Sequence, residues 1–202
     1  MFHKSFIASL AIVATVSATF PPIEVTVDGV PTTLYVQYPE EWSSATVSGD
    51  SVSFDFKNRL YLSESPTTDP SAYFTPKMLG GYLEYDVDLS SVGCGCVTAF
   101  YGVLMPGLDN SDDPFQYCGA GTWAANNAAA CPEFDIMEAN MWGFRGTSHG
   151  CPAPDADGFY AGCDAGSNCS VDVLTNETEA DYGPGSTYTI DTTQPFSVRA
   201  DY

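Results

Sequence analysis

Positive charge is scarce in this chain. Six Lys and Arg stand against 26 Asp and Glu in 202 residues, for a formal net charge of −20. Such a surface repels phosphate, which excludes nucleic acid and anionic membrane surfaces as partners. A neutral partner fits the charge, although solubility alone explains it equally well. Long apolar runs are missing too. Phe6–Val16 is too short for a membrane span, and no later segment is longer. It follows His3 and Lys4 and ends at the small residues Val16-Ser17-Ala18, the pattern of a secretory signal. Residues 1–18 are therefore set apart, and 19–202 are expected to form one secreted domain with a real core. Helical periodicity with caps is absent, as are internal repeats.

Seven Cys behind a signal imply disulfides. Seven is odd, so at least one thiol is free or lacks its partner. Asn168-Cys169-Ser170 and Asn176-Glu177-Thr178 fit the N-glycosylation pattern, a triplet that also arises by chance.

Strand signals dominate. Val52, Phe54 and Phe56 alternate along 51–56; Leu83, Tyr85, Val87 and Leu89 alternate along 82–89. The apolar run 97–105, bounded by Gly95 and Pro106-Gly107, predicts a strand buried on both faces. Segments 186–190 and 196–202 predict two more. Residues 19–48 predict an edge strand and a lead-in; 63–70, 106–116 and 152–179 predict loops. Short strands between Gly, Pro, Asn and Asp turns predict an all-β sandwich. The last strand has no turn or cap after it, so the sandwich is expected to be incomplete at residue 202.

The most informative segment is Cys131-Pro-Glu-Phe-Asp-Ile-Met-Glu-Ala-Asn140. Glu133, Asp135 and Glu138 stand among mostly apolar residues, where charges are seldom placed unless paired or used. On a strand Glu133 and Asp135 share a face. Glu138, five residues after Glu133, joins them only if one extra residue, a bulge at Ile136-Met137, shifts the phase. Mutual repulsion then keeps a proton on one carboxyl, and a protonated acid beside an ionised one is what glycoside hydrolysis requires. Two carboxyls on one strand suit the short separation of roughly 5–5.5 Å that goes with retention of configuration. Glu133 is then the nucleophile and Glu138 the acid and later the base, with Asp135 bonded to Glu133. A solvated acidic strand face is the plain alternative. A metal site from the three carboxylates and His149 is a lesser one, since loops supply such ligands more often. No cofactor or metal is expected.

This strand resembles the active-site strand of glycoside hydrolase family 7, the cellobiohydrolases and endoglucanases, in its Glu-x-Asp-x-x-Glu-Ala-Asn after a Cys. Colinear blocks extend the resemblance over about 48–202: Asn58-Arg59-Leu60-Tyr61-Leu62, Leu79-Gly80, Tyr85-Asp86-Val87-Asp88-Leu89, Cys94-Gly95, Tyr182-Gly183-Pro184-Gly185, Ile190-Asp191-Thr192-Thr193 and Phe196-Ser197-Val198. The resemblance implies a concanavalin-like curved β-jelly-roll with a cleft across its concave sheet. It implies a secreted cellulase, an O-glycosyl hydrolase degrading the polysaccharide cellulose or a related β-1,4-glucan as a monomer. It assigns Glu133, Asp135 and Glu138 to catalysis. It places His149 and Tyr101 in the cleft and gives Arg59 a bridging or sugar-contact role, for which a surface ion pair is an equal alternative. It implies disulfides Cys118–Cys131 and Cys151–Cys163, with Cys94 and Cys169 pairing beyond Tyr202 and Cys96 without a counterpart.

The chain also departs from the family. The Cys-rich N-terminal part is missing, the stretch between Cys118 and Cys131 is short, and Gly121 stands where the family has a substrate-contacting Gln. An Arg expected before Cys163 is absent, and the C-terminal third with its Trp platforms lies outside this sequence. The short stretch implies an open cleft and internal (endo) attack. Trp123 and Trp142 flank the catalytic strand and offer ring surface for sugar C–H faces, with core packing as the equal alternative. A catalytically weak carbohydrate-binding or wall-associated protein on the same scaffold is the competing expectation.

Overall fold

The computed structural model describes residues 20–38, 45–105, 115–121, 130–156, 160, 162–164, 169–172, 178 and 180–202. The expected signal segment, Trp123, Asn168 and Asn176 lie outside the described residues. The chain packs as two compact units, Met1–Thr67 and Thr68–Tyr202.

In the first unit β1 (Pro22–Val27) pairs antiparallel with β2 (Val30–Gln37) through an Asp28-Gly29 turn. Both turn residues hold positive φ (51° and 77°), the geometry an Asp-Gly hairpin favours. The 19–48 stretch is thus richer in strand than its Pro and Thr content predicts. A second hairpin joins β3 (Ala45–Ser48) to β4 (Ser51–Phe54), and β5 (Tyr61–Ser63) pairs with β2. Ile23, Leu34 and Val36 are buried there, and Gln37 donates through Nε2 to Thr67 O. The expected apolar face of 51–56 is not buried: Phe54 is exposed and Phe56, past the strand end, is 76% exposed.

The second unit holds two facing β-layers. β6 (Tyr82–Val87) pairs antiparallel with β13 (Phe196–Asp201). The other layer is a four-stranded sheet in the order β10 (Cys169–Asp172), β9 (Gly143–His149), β8 (Glu133–Asn140), β7 (Thr98–Val103). A short parallel pair, β11 (Tyr182–Gly183) with β12 (Ile190–Asp191), completes the unit. The core comprises Leu89, Met137, Ala139 and Tyr182, with Tyr85, Val87, Phe100, Phe144, Ile190 and Phe196 packed against it. The alternation along 82–89 therefore marks a core face, as expected, while Glu84 and Asp86 stay exposed. Among the described residues, the only helical turn is the 3₁₀ segment Pro70–Ala72, capped by the Asp69 side chain at Ser71 N.

Three more expectations change. The strand over 97–105 is not buried on both faces, since Val97 is 62% exposed. Phe100 points into the core, but Ala99, Tyr101 and Val103 lie on the opposite face, which carries the site. The segment 186–190 is mostly turn, with only Ile190 entering a strand. The loop expected over 152–179 contains β10, and β9 has no counterpart in the sequence expectations.

Candidate active site

β8 carries the three carboxylates and the bulge that aligns them. Against β9, Asp135 pairs with Thr147 and Glu138 with Arg145, so three steps on β8 answer two on β9. Against β7, Tyr101 pairs with Asp135 and Phe100 with Met137, leaving Ile136 as the extra residue. Side chains shift phase there. Met137 and Ala139 face the core, and Phe134 meets the Tyr202 ring at 5.2 Å. The other face is left to Glu133, Asp135 and, past the bulge, Glu138. Without the extra residue Glu138 would enter the core, where an unpaired charge is very costly.

Cross-strand partners share a face, so the register maps the whole surface. Val103, Glu133 and His149 form one row. Tyr101, Asp135, Thr147 and Ser170 form the next. Ala99, Glu138, Arg145 and Asp172 form the third. Four of the expected site residues, Glu133, Asp135, Glu138 and His149, are brought together here, with Tyr101 beside Asp135.

Each carboxylate has its own surroundings. Asp135 is 5% exposed, and its Oδ2 lies 2.8 Å from His149 Nε2. His149 Nδ1 faces the carbonyl oxygen of Asp164, which can only accept. Both ring nitrogens therefore point at acceptors, an arrangement that the imidazolium satisfies fully. Burial alone would lower the His149 pKa. The hydrogen bonds to Asp164 and Asp135 and the charges of Asp135 and Glu133 outweigh it, and the pKa rises above the ordinary histidine value. The expected Asp135–Glu133 hydrogen bond is replaced by this one. Alternate residues on a strand stand about 7 Å apart, whereas His149 reaches in from the adjacent strand.

Glu133 Oε2 instead accepts from Ala120 N–H at 2.5 Å. This approach requires Gly119: a Cβ there would lie 2.9 Å from Oε2 and 3.2 Å from the Tyr117 hydroxyl. Tyr117 is in turn 3.4 Å from the Tyr101 hydroxyl. Glu138 is half-buried, and burial is the largest cause raising its pKa. Repulsion from Asp135 and Glu133 adds to it, while His149 and Arg145 oppose. That environment suits a carboxyl that keeps its proton.

Both disulfides adjoin the site. Cys118–Cys131 ties the Gly119-Ala120 segment to the chain just before β8, reinforced by Cys131 N–H donating to Gly119 O at 3.0 Å. Cys151–Cys163 brings Asp164 to the end of β9, where Asp164 N–H donates to Gly150 O at 2.8 Å. The two pairings are those the resemblance implied. Cys94, Cys96 and Cys169 are free and exposed.

The remaining expected residues are placed as follows. Trp142 is 51% exposed in the β8–β9 turn, which Asn140 Oδ1 organises by accepting from Trp142 N–H and Gly143 N–H. Arg59 belongs to the first unit, just before β5. Sequence reasoning missed Gly119, Ala120, Tyr117 and Arg145. A backbone N–H leaves no residue-type signal. Arg145 had one, as a rare cation seven residues after Glu138.

An all-β fold with three carboxylates on one face of a sheet is the frame for comparison with known proteins. No protein-family model matches the chain. The chain is 28% identical over 161 residues to endoglucanase EG-1 of Hypocrea jecorina, covering 69% of this chain and 31% of that protein. The fold is that of the glycoside hydrolase family 7 cellulases, a β-jelly-roll. It matches an endoglucanase I solved with cellobiose (TM-score 0.68, 17% identity, 91% of this chain, 66% of that one). It also matches the native endocellulase EGI of Humicola insolens (0.69, 18%, 91% and 66%) and a family 7 cellobiohydrolase of Daphnia pulex (0.66, 17%, 92% and 66%). The chain thus resembles family 7 in both sequence and fold, while spanning about a third of the length of the curated relative.

Proposed function

We propose that this protein is a secreted, retaining glycoside hydrolase that cleaves β-1,4-glucan chains by internal attack in an open cleft. The observation that carries this reading is the bulge at Ile136, which turns Glu138 onto the face of Glu133 and Asp135. Glu133 is the nucleophile. Ala120 N–H holds Oε2, leaving Oε1 to attack the anomeric carbon. As the C1–O bond breaks, Glu138 passes its proton to the leaving oxygen. Water then attacks C1, Glu138 takes up a water proton, and the Glu133 carboxylate departs. Asp135, held by His149, supplies negative charge beside both carboxyls and adds to the burial that raises the Glu138 pKa.

A polysaccharide substrate is supported by the likeness to cellulases, one of them solved with cellobiose. Open-cleft action is supported by the short sequence separation, 13, between Cys118 and Cys131. Secretion is supported by the signal pattern and the two disulfides. Gly121, which offers no side chain to a sugar, favours the second reading, a carbohydrate-binding protein with little turnover.

One experiment separates the two. Mature protein and Glu133→Gln are incubated with carboxymethyl cellulose, mixed-linkage glucan, xylan, laminarin and chitosan. Proton NMR follows the product anomer. Release of β-anomer by wild type alone supports retention at Glu133. Equal sugar release by both proteins leaves only the binding reading.

A further inference from the structure

Arg145 is the least expected group on the carboxylate face. It sits directly across from Glu138 on β9 and shares its face. Its Nη2 donates to Ser170 Oγ on β10 at 3.2 Å, which steers the guanidinium along the sheet surface. Among the described residues, Arg145 makes no ion pair within 4.0 Å. It is an exposed cation with donors to spare in a chain holding only six Lys and Arg.

Its position relative to the reaction follows from stereochemistry. In a retaining displacement the nucleophile attacks opposite the leaving group, so what flanks the acid also flanks the leaving group. Row by row, Glu133 is flanked by Val103 and His149, and Glu138 by Ala99 and Arg145. Sugar hydroxyls accept hydrogen bonds, and a guanidinium offers five donors in a fixed plane.

We propose that Arg145, braced by Ser170, binds the hydroxyls of the sugar on the leaving-group side of the scissile bond and so selects substrates that carry a sugar there. This rests on the retaining-glycosidase reading above. A purely electrostatic role on Glu138 is the competing account. The charged groups around Glu138 are Glu133 and Asp135 from β8 and His149 and Arg145 from β9, with Asp172 of β10 beyond Arg145 in the same row, while β7 contributes only Ala99 there.

Two substrates distinguish these accounts. Cellotetraose carries sugars on both sides of the cleaved bond. p-Nitrophenyl β-cellobioside, cut at its aryl bond, has no sugar as leaving group. Arg145→Ala is expected to lower kcat/KM on cellotetraose about 10- to 100-fold, the range for a hydrogen bond to a charged group. On the aryl substrate the change is expected to stay within about threefold. Arg145→Gln, close in shape and neutral, serves the same comparison if the Ala variant loses structure by circular dichroism. Equal losses on both substrates, or none on either, overturn the proposal. Wild-type protein that neither binds cellotetraose by calorimetry nor cleaves it overturns both this inference and the glycosidase reading. Cleavage by wild type with no substrate discrimination overturns this inference alone.

Discussion

His149 reaches diagonally from β9 to Asp135 on the adjacent β8, with Nε2 and Oδ2 2.8 Å apart although the backbone partner of His149 is Glu133. The ring is braced behind by the Asp164 carbonyl, which the Cys151–Cys163 bridge holds in place. Together these contacts fix the middle carboxylate of the row.

Removing the histidine should strand a buried charge. His149→Ala leaves Asp135 at 5% exposure with its ring partner gone. Loss of one member of a buried pair costs about 3–5 kcal/mol. Urea denaturation at pH 6 measures it; a loss below about 1 kcal/mol would show that the pair contributes little.

The pH dependence has a defined sign. The His149 pKa is raised in the folded state, so its stabilisation is complete below the ordinary histidine value and is lost as pH rises through the folded one. Glu138 is raised as well, so its ionisation above the ordinary glutamate range also works against folding. Both act in the same direction, and their contribution to Tm should fall as pH climbs from about 5 toward 8. His149→Gln should flatten the upper part of that decline. An unchanged slope in the variant contradicts the assignment.

Gly119→Ala should damage the site and spare the fold. The new Cβ meets Glu133 Oε2 at 2.9 Å, and that carboxylate is the mobile end of a side chain. It yields by leaving Ala120 N–H. Misplacing a reacting group by about 1 Å can cost 10²-fold, so kcat should fall by one to two orders of magnitude at nearly constant Tm. A fully active variant would show that the N–H contact does not position Glu133.

Glu138→Gln should lower kcat by about 10²- to 10⁴-fold on unactivated glucans, the usual worth of a general acid. The loss should shrink on substrates whose leaving group needs no proton. In the wild type the raised pKa of Glu138 should place the alkaline limb of kcat/KM above the ordinary glutamate value. Equal losses on both kinds of substrate would remove Glu138 from the acid role.

Leu89 tests the two-layer core. It is fully buried at 0% exposure among Met137, Ala139 and Tyr182. Leu89→Ala should cost about 2–5 kcal/mol by calorimetry, without changing the pH profile.

Much of this was legible in the chain itself. The alternation over 82–89, the need for one extra residue near Ile136-Met137 and the carboxylate run are local patterns, and period-2 geometry converts them directly into faces. The residues of β9, Gly-Phe-Arg-Gly-Thr-Ser-His, carry no such pattern, because one face lines the polar site and the other offers only Phe144 to the core. The exposed side of β7 is hidden in the sequence for the converse reason: Ala99, Tyr101 and Val103 read as apolar although they lie beside the carboxylates.

The sequence by itself determined that three carboxyls share a strand and, given one bulge, a face, since both follow from residue type and spacing along one chain. Only the tertiary structure decided their partners. Ala120 N–H on Glu133, His149 on Asp135 and Arg145 beside Glu138 are meetings between segments separated in the chain. Such contacts depend on inter-strand register and disulfide closure, and neither is written in local composition.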